Sequence, residues 1–228
     1  MKPEPARVVI VAAQNEAERI GAALDALAEA LPGARLMVAD DASADGTQQE
    51  AMRHGAWLIG RRRPHGKGGN VSAAAEAAVG EFPDDATALL CDADLGASAR
   101  ELVPLVEAVE AGRSDLAIGS FANRDGGGFG FTLGYARNAV ERICGARLEA
   151  PLSGQRAMRV STLRELIPFA DGWGLETGMT IDAIRAGRRV EEIELPLEHR
   201  VTGRTPAGFL HRARQLRDIR RAVRTRSG

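Results

Sequence analysis

The chain has 228 residues, 44% hydrophobic and 27% charged, with a formal net charge of −1; that is globular composition, and the length suits one large domain, expected over residues 1–228. The near-neutral total gives no support to a nucleic-acid binder, and no apolar run reaches the roughly 18 residues that a membrane span needs. Cys91 and Cys144 are far apart without metal-ligand spacing, and the opening MKPEPARVVIVAA has no secretory apolar region before a cleavage site, so a reduced, cytoplasmic protein is expected.

RVVIVAA (7–13) is a short buried-strand run, followed by Ile20, Ala23, Leu24, Leu27 and Leu31 at helical spacing. Asn15 with Glu18 has the pattern of a capping box, and Pro32-Gly33 stops the helix. ARLMVA (34–39) is a second strand, after which Asp45 with Gln48 is expected to cap a second helix. AWLIG (56–60), ATALLC (86–91) and DLAIGS (115–120) read as further strands, with helices near 70–79 and 99–111. Strands alternating with helices predict an α/β fold, a mostly parallel sheet with helices on both faces. In the second half, residues 123–134 hold five glycines, at 126, 127, 128, 130 and 134, a density that predicts a loop ordered by ligand. Helices are expected over 135–144, 161–167 and 176–186, then a strand over 190–197 and a basic helix over about 206–224.

In open parallel sheets, ligands bind beyond the carboxyl ends of the strands. Here the ends carry QNE (14–16), DDAS (40–43), HGKGG (65–69) and DAD (92–94), four polar groups on one rim. Asp40 or Asp41 suits hydrogen bonds from a base or ribose. The Gly-rich turn at Lys67 precedes a helix and suits a diphosphate, although no Ser or Thr follows the lysine as in a Walker A loop. Asp92 and Asp94, two apart at a strand end, are expected on one side of the extended chain, where paired carboxylates suit a hard cation.

In this order the motifs resemble glycosyltransferase family 2. AAQNE (12–16) is similar to its PAxNE, DDASADGT (40–47) to its DDGSxDGT, and Asp92-Ala93-Asp94 to its DxD, with Ala12 replacing proline and Ala42 replacing glycine. The resemblance implies a GT-A fold and transfer of one sugar from a nucleotide-sugar, a UDP-sugar with UDP-glucose first. It implies nucleotide-sugar contacts from Ala13, Asn15, Glu16, Asp40, Asp41, Lys67 and Asp92. It also implies a Mg²⁺ or Mn²⁺ ion held by Asp92 and, chiefly, by Asp94.

For the acceptor, PLSGQRAMR (151–159) resembles a stretch of polyprenyl-phosphate sugar transferases, whereas GWGLETGMTID (172–182) and EHR (198–200) are similar to glycosyl-3-phosphoglycerate synthases. The second likeness implies His199 as a further metal ligand and Glu176 as a catalytic residue orienting an acceptor hydroxyl. Both share a phosphate-bearing acceptor, for which Arg156 and Arg159 are bidentate candidates. Polyprenyl phosphate is favoured, with a phosphoglycerate-type acceptor as the alternative. The processive QxxRW is absent, since Leu-Arg-Asp follows Gln215. A pyrophosphorylase would carry a GxGTRL loop where this chain reads AAQNEAE, and the intact DxD argues against a non-catalytic sensor. From Leu197 onward, nine arginines face only Glu198 and Asp218, a net +7 that leaves −8 for the rest. With Phe209, Ala213, Leu216, Ile219 and Val223 on one face, this is a basic amphipathic helix that can lie at the inner face of a membrane, the alternative being that its apolar stripe packs on the domain and its arginines are solvated.

Overall fold

The computed structural model describes residues 6–60, 63–121, 130–197 and 206–227, the stretch 206–212 as backbone. Seven strands form one sheet: β1 (Arg7–Ala13), β2 (Arg35–Asp40), β3 (Trp57–Gly60), β4 (Thr87–Asp92), β5 (Leu116–Phe121), β6 (Arg156–Arg159) and β7 (Val190–Leu195), in the order β3-β2-β1-β4-β6-β5-β7. Every pairing is parallel except those of β6, which runs antiparallel to β4 and β5. β6 has no counterpart in the sequence reading. It is four residues long and half arginine, so it shows neither the length nor the apolar run that marks the other strands.

Among the described residues eight α-helices cover the sheet: α1 (Ile20–Ala30), α2 (Thr47–Arg53), α3 (Gly66–Glu81), α4 (Val103–Glu110), α5 (Gly130–Cys144), α6 (Val160–Leu166), α7 (Leu175–Arg185) and α8 (Pro206–Arg224). Strand alternation divides the core. Val9 and Val11 of β1 pack with Leu24 and Leu27 of α1 on one face, while Val8 and Ile10 pack with Val71 and Ala75 of α3 on the other. A third cluster joins Ala136 and Val140 of α5, Ile181 of α7, and Ile219 and Val223 of α8. The C-terminal half of the apolar face of α8 is thereby used by the domain itself, while Ala213 is exposed. Among the described residues no helix is long and apolar enough to cross a membrane.

Several boundaries differ from expectation for local reasons. α1 begins at Ile20 with Arg19 as its cap, so Asn15 and Glu18 form no capping box. Asp45 accepts the Thr47 amide at 3.0 Å, but Gln48 turns away to donate to Asp40. α3 starts four residues early, so that GKGG is its first turn; the Cβ of any other residue at Gly68 would stand 2.0 Å from the Ala170 carbonyl oxygen. The expected helix over 99–111 is a 3₁₀ segment (Ala93–Leu102) that passes into α4 next to a proline. Residues 130–134, expected in a loop, open α5; residues 123–129 lie outside the described residues.

Candidate active site

The parallel strands β1, β2 and β4 end on the same rim, and the chain leaving each of them enters one cavity of about 460 Å³. Ala13 ends β1 and Glu16 follows it, Asp41 follows β2, Gly66 and Lys67 open α3, and Asp92 ends β4 with Asp94 just beyond. The other half brings Gln155, Trp173 and Glu176 to the same space. All four polar groups expected on this rim contribute to it.

The first two groups are tied together before any ligand binds. Asn15, at φ +57°, accepts the Ala44 amide on Oδ1 at 2.9 Å, and its own amide donates to Ser43 Oγ at 2.9 Å. Asn15 is exposed outside the cavity and acts as a clip between two loops. Asp40 is fully buried; its Oδ2 accepts hydrogen bonds from the Ser43 amide at 3.1 Å and from Gln48 at 2.6 Å, and its Oδ1 has no partner among the described residues. Asp41 instead lines the cavity and accepts the His65 and Gly66 amides at 2.7 and 3.0 Å, fixing the start of α3. Ala42 stands at φ +55°, where glycine is preferred, so the alanine found here carries backbone strain.

Lys67 is the hub of the floor. Its Nζ lies 2.6 Å from Asp92 Oδ1 and 2.8 Å from Glu176 Oε1. Burial works to lower its pKa, but the two carboxylates more than reverse this and hold the ammonium above its ordinary value. Asp92 is fixed further by Gln155, which donates from Nε2 to Oδ2 at 3.1 Å while its Oε1 accepts the Asp92 amide at 3.1 Å. Asp92 and Asp94 share the cavity through the 3₁₀ turn that starts at Ala93 rather than through strand alternation. Next to them Cys91 is buried, and burial together with Asp92 pushes its thiol up, so it is no nucleophile.

The two arginines expected to hold an acceptor phosphate do something else. Arg156, 1% exposed, donates to the carbonyls of Ser153 and Pro151 and to Thr180 Oγ1. Burial pushes it down to about 10 against the opposing pull of Glu176 and Glu192. It buttresses the loop that carries Gly154 and Gln155. Arg159 points to the far end of the sheet, donating to the carbonyls of Asp85 and Glu110 and to Thr87 Oγ1. In an antiparallel β6, three residues of advance carry the chain from the rim to the opposite edge. His199 lies outside the described residues.

Sequence reasoning passed over Gln155, Asn70, Trp173 and Gln215, all of which line the cavity. Gln155 sits inside the quoted SGQR, where attention to charge favoured the neighbouring arginine. Gln215 gave no signal, being one polar residue on a basic helix.

Comparison with known proteins agrees with this geometry. The model of the family "Glycosyl transferase family 2" matches residues 8–174. The chain is 29% identical to the undecaprenyl-phosphate mannosyltransferase of Micrococcus luteus, over 86% of this chain and 85% of that protein. Glucosyl-3-phosphoglycerate synthase from Mycobacterium tuberculosis in complex with phosphoglyceric acid superposes with a TM-score of 0.81 at 25% identity, over 100% of this chain and 81% of that one. The same enzyme in complex with Mn²⁺ and UDP-glucose gives a TM-score of 0.75 at 25% identity, over 97% and 80%. The shared architecture is the GT-A fold that the motifs imply.

Proposed function

Because the chain belongs to glycosyltransferase family 2, we propose that it moves a single sugar from a UDP-sugar to a phosphate-bearing acceptor, with polyprenyl phosphate favoured. The observation that carries this reading is the convergence of the strand ends on one cavity whose floor holds Lys67 between Asp92 and Glu176. In it, Ala13, Glu16 and Asp41 flank the nucleoside. The first turn of α3, whose Gly66 amide is held by Asp41, offers the positive end of the helix dipole to the diphosphate.

Asp92 and Asp94 supply the hard oxygen donors that Mg²⁺ or Mn²⁺ prefers, and both line the cavity. A donor diphosphate and His199, which lies outside the described residues, are the candidates to complete the set. When bound, the ion supplies neutralisation of the charge that builds on the departing diphosphate. Gln155 and Lys67 keep the Asp92 carboxylate aimed into the cavity. Glu176, 3% exposed and paired with Lys67, accepts hydrogen bonds from hydroxyls at the floor. A phosphate oxygen of the acceptor forms the new bond to the anomeric carbon as the bond from that carbon to the diphosphate breaks. That oxygen is already anionic near neutral pH, so the reaction makes little demand for a strong general base.

The lipid-phosphate acceptor is supported by the named activity of the Micrococcus luteus relative and by Arg214, Arg217, Arg221 and Arg224, exposed at helical spacing along α8. Ile219 and Val223 are buried in the domain, so the exposed arginines of this part of α8 would meet an anionic membrane electrostatically. The soluble alternative, a phosphoglycerate acceptor, is supported by the likeness to glucosyl-3-phosphoglycerate synthase. Offering UDP-sugars with Mn²⁺ and either polyprenyl phosphate in anionic vesicles or 3-phosphoglycerate separates the two. The favoured reading requires lipid-linked product and vesicle binding that fades as salt rises. Product from phosphoglycerate alone replaces it with the alternative.

A further inference from the structure

Two amide side chains in the cavity wall each hold a carbonyl oxygen without a partner among the described residues. Asn70 of α3 is 1% exposed and Gln215 of α8 is 6% exposed, and both line the cavity. Asn70 Oδ1 and Gln215 Oε1 are enclosed, and neither has a hydrogen-bond partner among the described residues. Buried polar atoms are almost always paired, because an unpaired one loses its water without compensation. An apolar side chain of equal size would fill either position without that penalty, as Ile219, Ala222 and Val223 do elsewhere on α8.

Their placement indicates what would pair them. Asn70 stands one helical turn after Lys67 on α3. Gln215 stands one turn before Asp218, whose Oδ2 accepts the Trp173 amide at 3.4 Å. Trp173, Lys67 and Glu176 all line the same cavity, so the two amides approach the floor from different helices. An unpaired amide oxygen requires a donor, and a sugar presents several hydroxyls that can supply one. The last torsion of Asn and Gln is broad, so either amide can turn toward a ligand without moving its helix.

We propose that Asn70 and Gln215 are specificity-determining residues that read hydroxyl groups of the transferred sugar, making the C-terminal helix part of the donor site. The inference rests on the sugar-transfer reading above. It is tested with Asn70→Leu and Gln215→Met, which keep side-chain volume and remove the amide. Wild type and variants are titrated, with Mn²⁺, against UDP-glucose and against UDP. Affinity for the nucleotide-sugar should fall about tenfold while that for the nucleoside diphosphate stays within about twofold. Discrimination between epimeric donor sugars should narrow in the same variants. Equal weakening of both ligands marks a structural role and overturns the proposal, as does unchanged nucleotide-sugar binding. The residues lie on separate helices, so if one variant does not fold the other decides. Wild-type protein that binds neither ligand overturns the transfer reading as well, which separates that failure from this one.

Discussion

Lys67 Nζ lies 2.6 Å from Asp92 Oδ1, joining the first turn of α3 to the end of β4 across the floor of the cavity. The same ammonium neutralises Glu176, whose side chain is only 4% exposed. Lys67→Met would leave that carboxylate buried without its counter-charge, a change that typically costs about 3 kcal/mol. Urea denaturation should show this loss in Lys67→Met and recover most of it in Lys67→Met/Glu176→Gln, while neither variant transfers sugar. Because the lysine is held above its ordinary pKa, its share of stability persists through neutral pH and disappears only in strong alkali.

Gly154 gives the floor its room. A Cβ there would stand 2.5 Å from Asp92 Oδ2 and 2.7 Å from Lys67 Nζ. Gly154→Ala should therefore displace the ion pair and lower transfer at least about a hundredfold, the scale of a misplacement near 1 Å. Circular dichroism should remain that of the wild type. Wild-type turnover by this variant would contradict the arrangement.

The two β6 arginines separate acceptor chemistry from support. Arg159→Met removes hydrogen bonds at the edge of the sheet remote from the cavity, and should cost about 1–2 kcal/mol of stability with the acceptor KM unchanged. Arg156→Met removes three donors from a fully buried site. It should lower stability more and also slow transfer, since Ser153 adjoins Gly154. An Arg159 variant with a strongly raised acceptor KM would restore that residue to the site.

The first half of this chain was largely legible because each strand is a continuous apolar run that ends in polar residues, and its motifs occur in order. The functions of single charged residues were less legible. Asp40 and Asp41 are adjacent, yet one is buried beneath a loop and the other faces the cavity, a difference set by where β2 ends. Arg156 carries a formal charge that suggested a ligand, but the antiparallel course of β6, invisible to periodicity in four residues, places it under the loop. Gln215 depends on how α8 packs against Trp173 and the turn around it. Such long-range placement has no local pattern.

His54 predicts a pH dependence away from the site. Its Nδ1 lies 2.6 Å from Asp25 of α1 and its Nε2 3.2 Å from Glu50 of α2. The hydrogen bond to Asp25, ahead of the opposing effect of burial and aided by Glu50, raises its pKa above the ordinary 6.5. A raised folded pKa means that this contribution is complete below the unfolded value and is lost as pH climbs through the folded one. Thermal midpoints of wild type and His54→Gln measured from about pH 5 to about pH 9 should therefore differ most at the acid end. A gap that widens with pH would contradict the ion pairing.

The acidic pair at the end of β4 is the centre of the account, and metal-dependent donor binding tests it most directly. Calorimetric titration of UDP-sugar into wild type and Asp94→Ala, with Mn²⁺ and then with excess chelator, is the measurement. The side chain of Asp94 lines the cavity and not the core, so the variant should remain folded. Wild type should bind with metal and lose that binding on chelation, whereas Asp94→Ala should show no metal-dependent component. Equal metal-dependent binding and turnover by the two proteins would contradict the assignment.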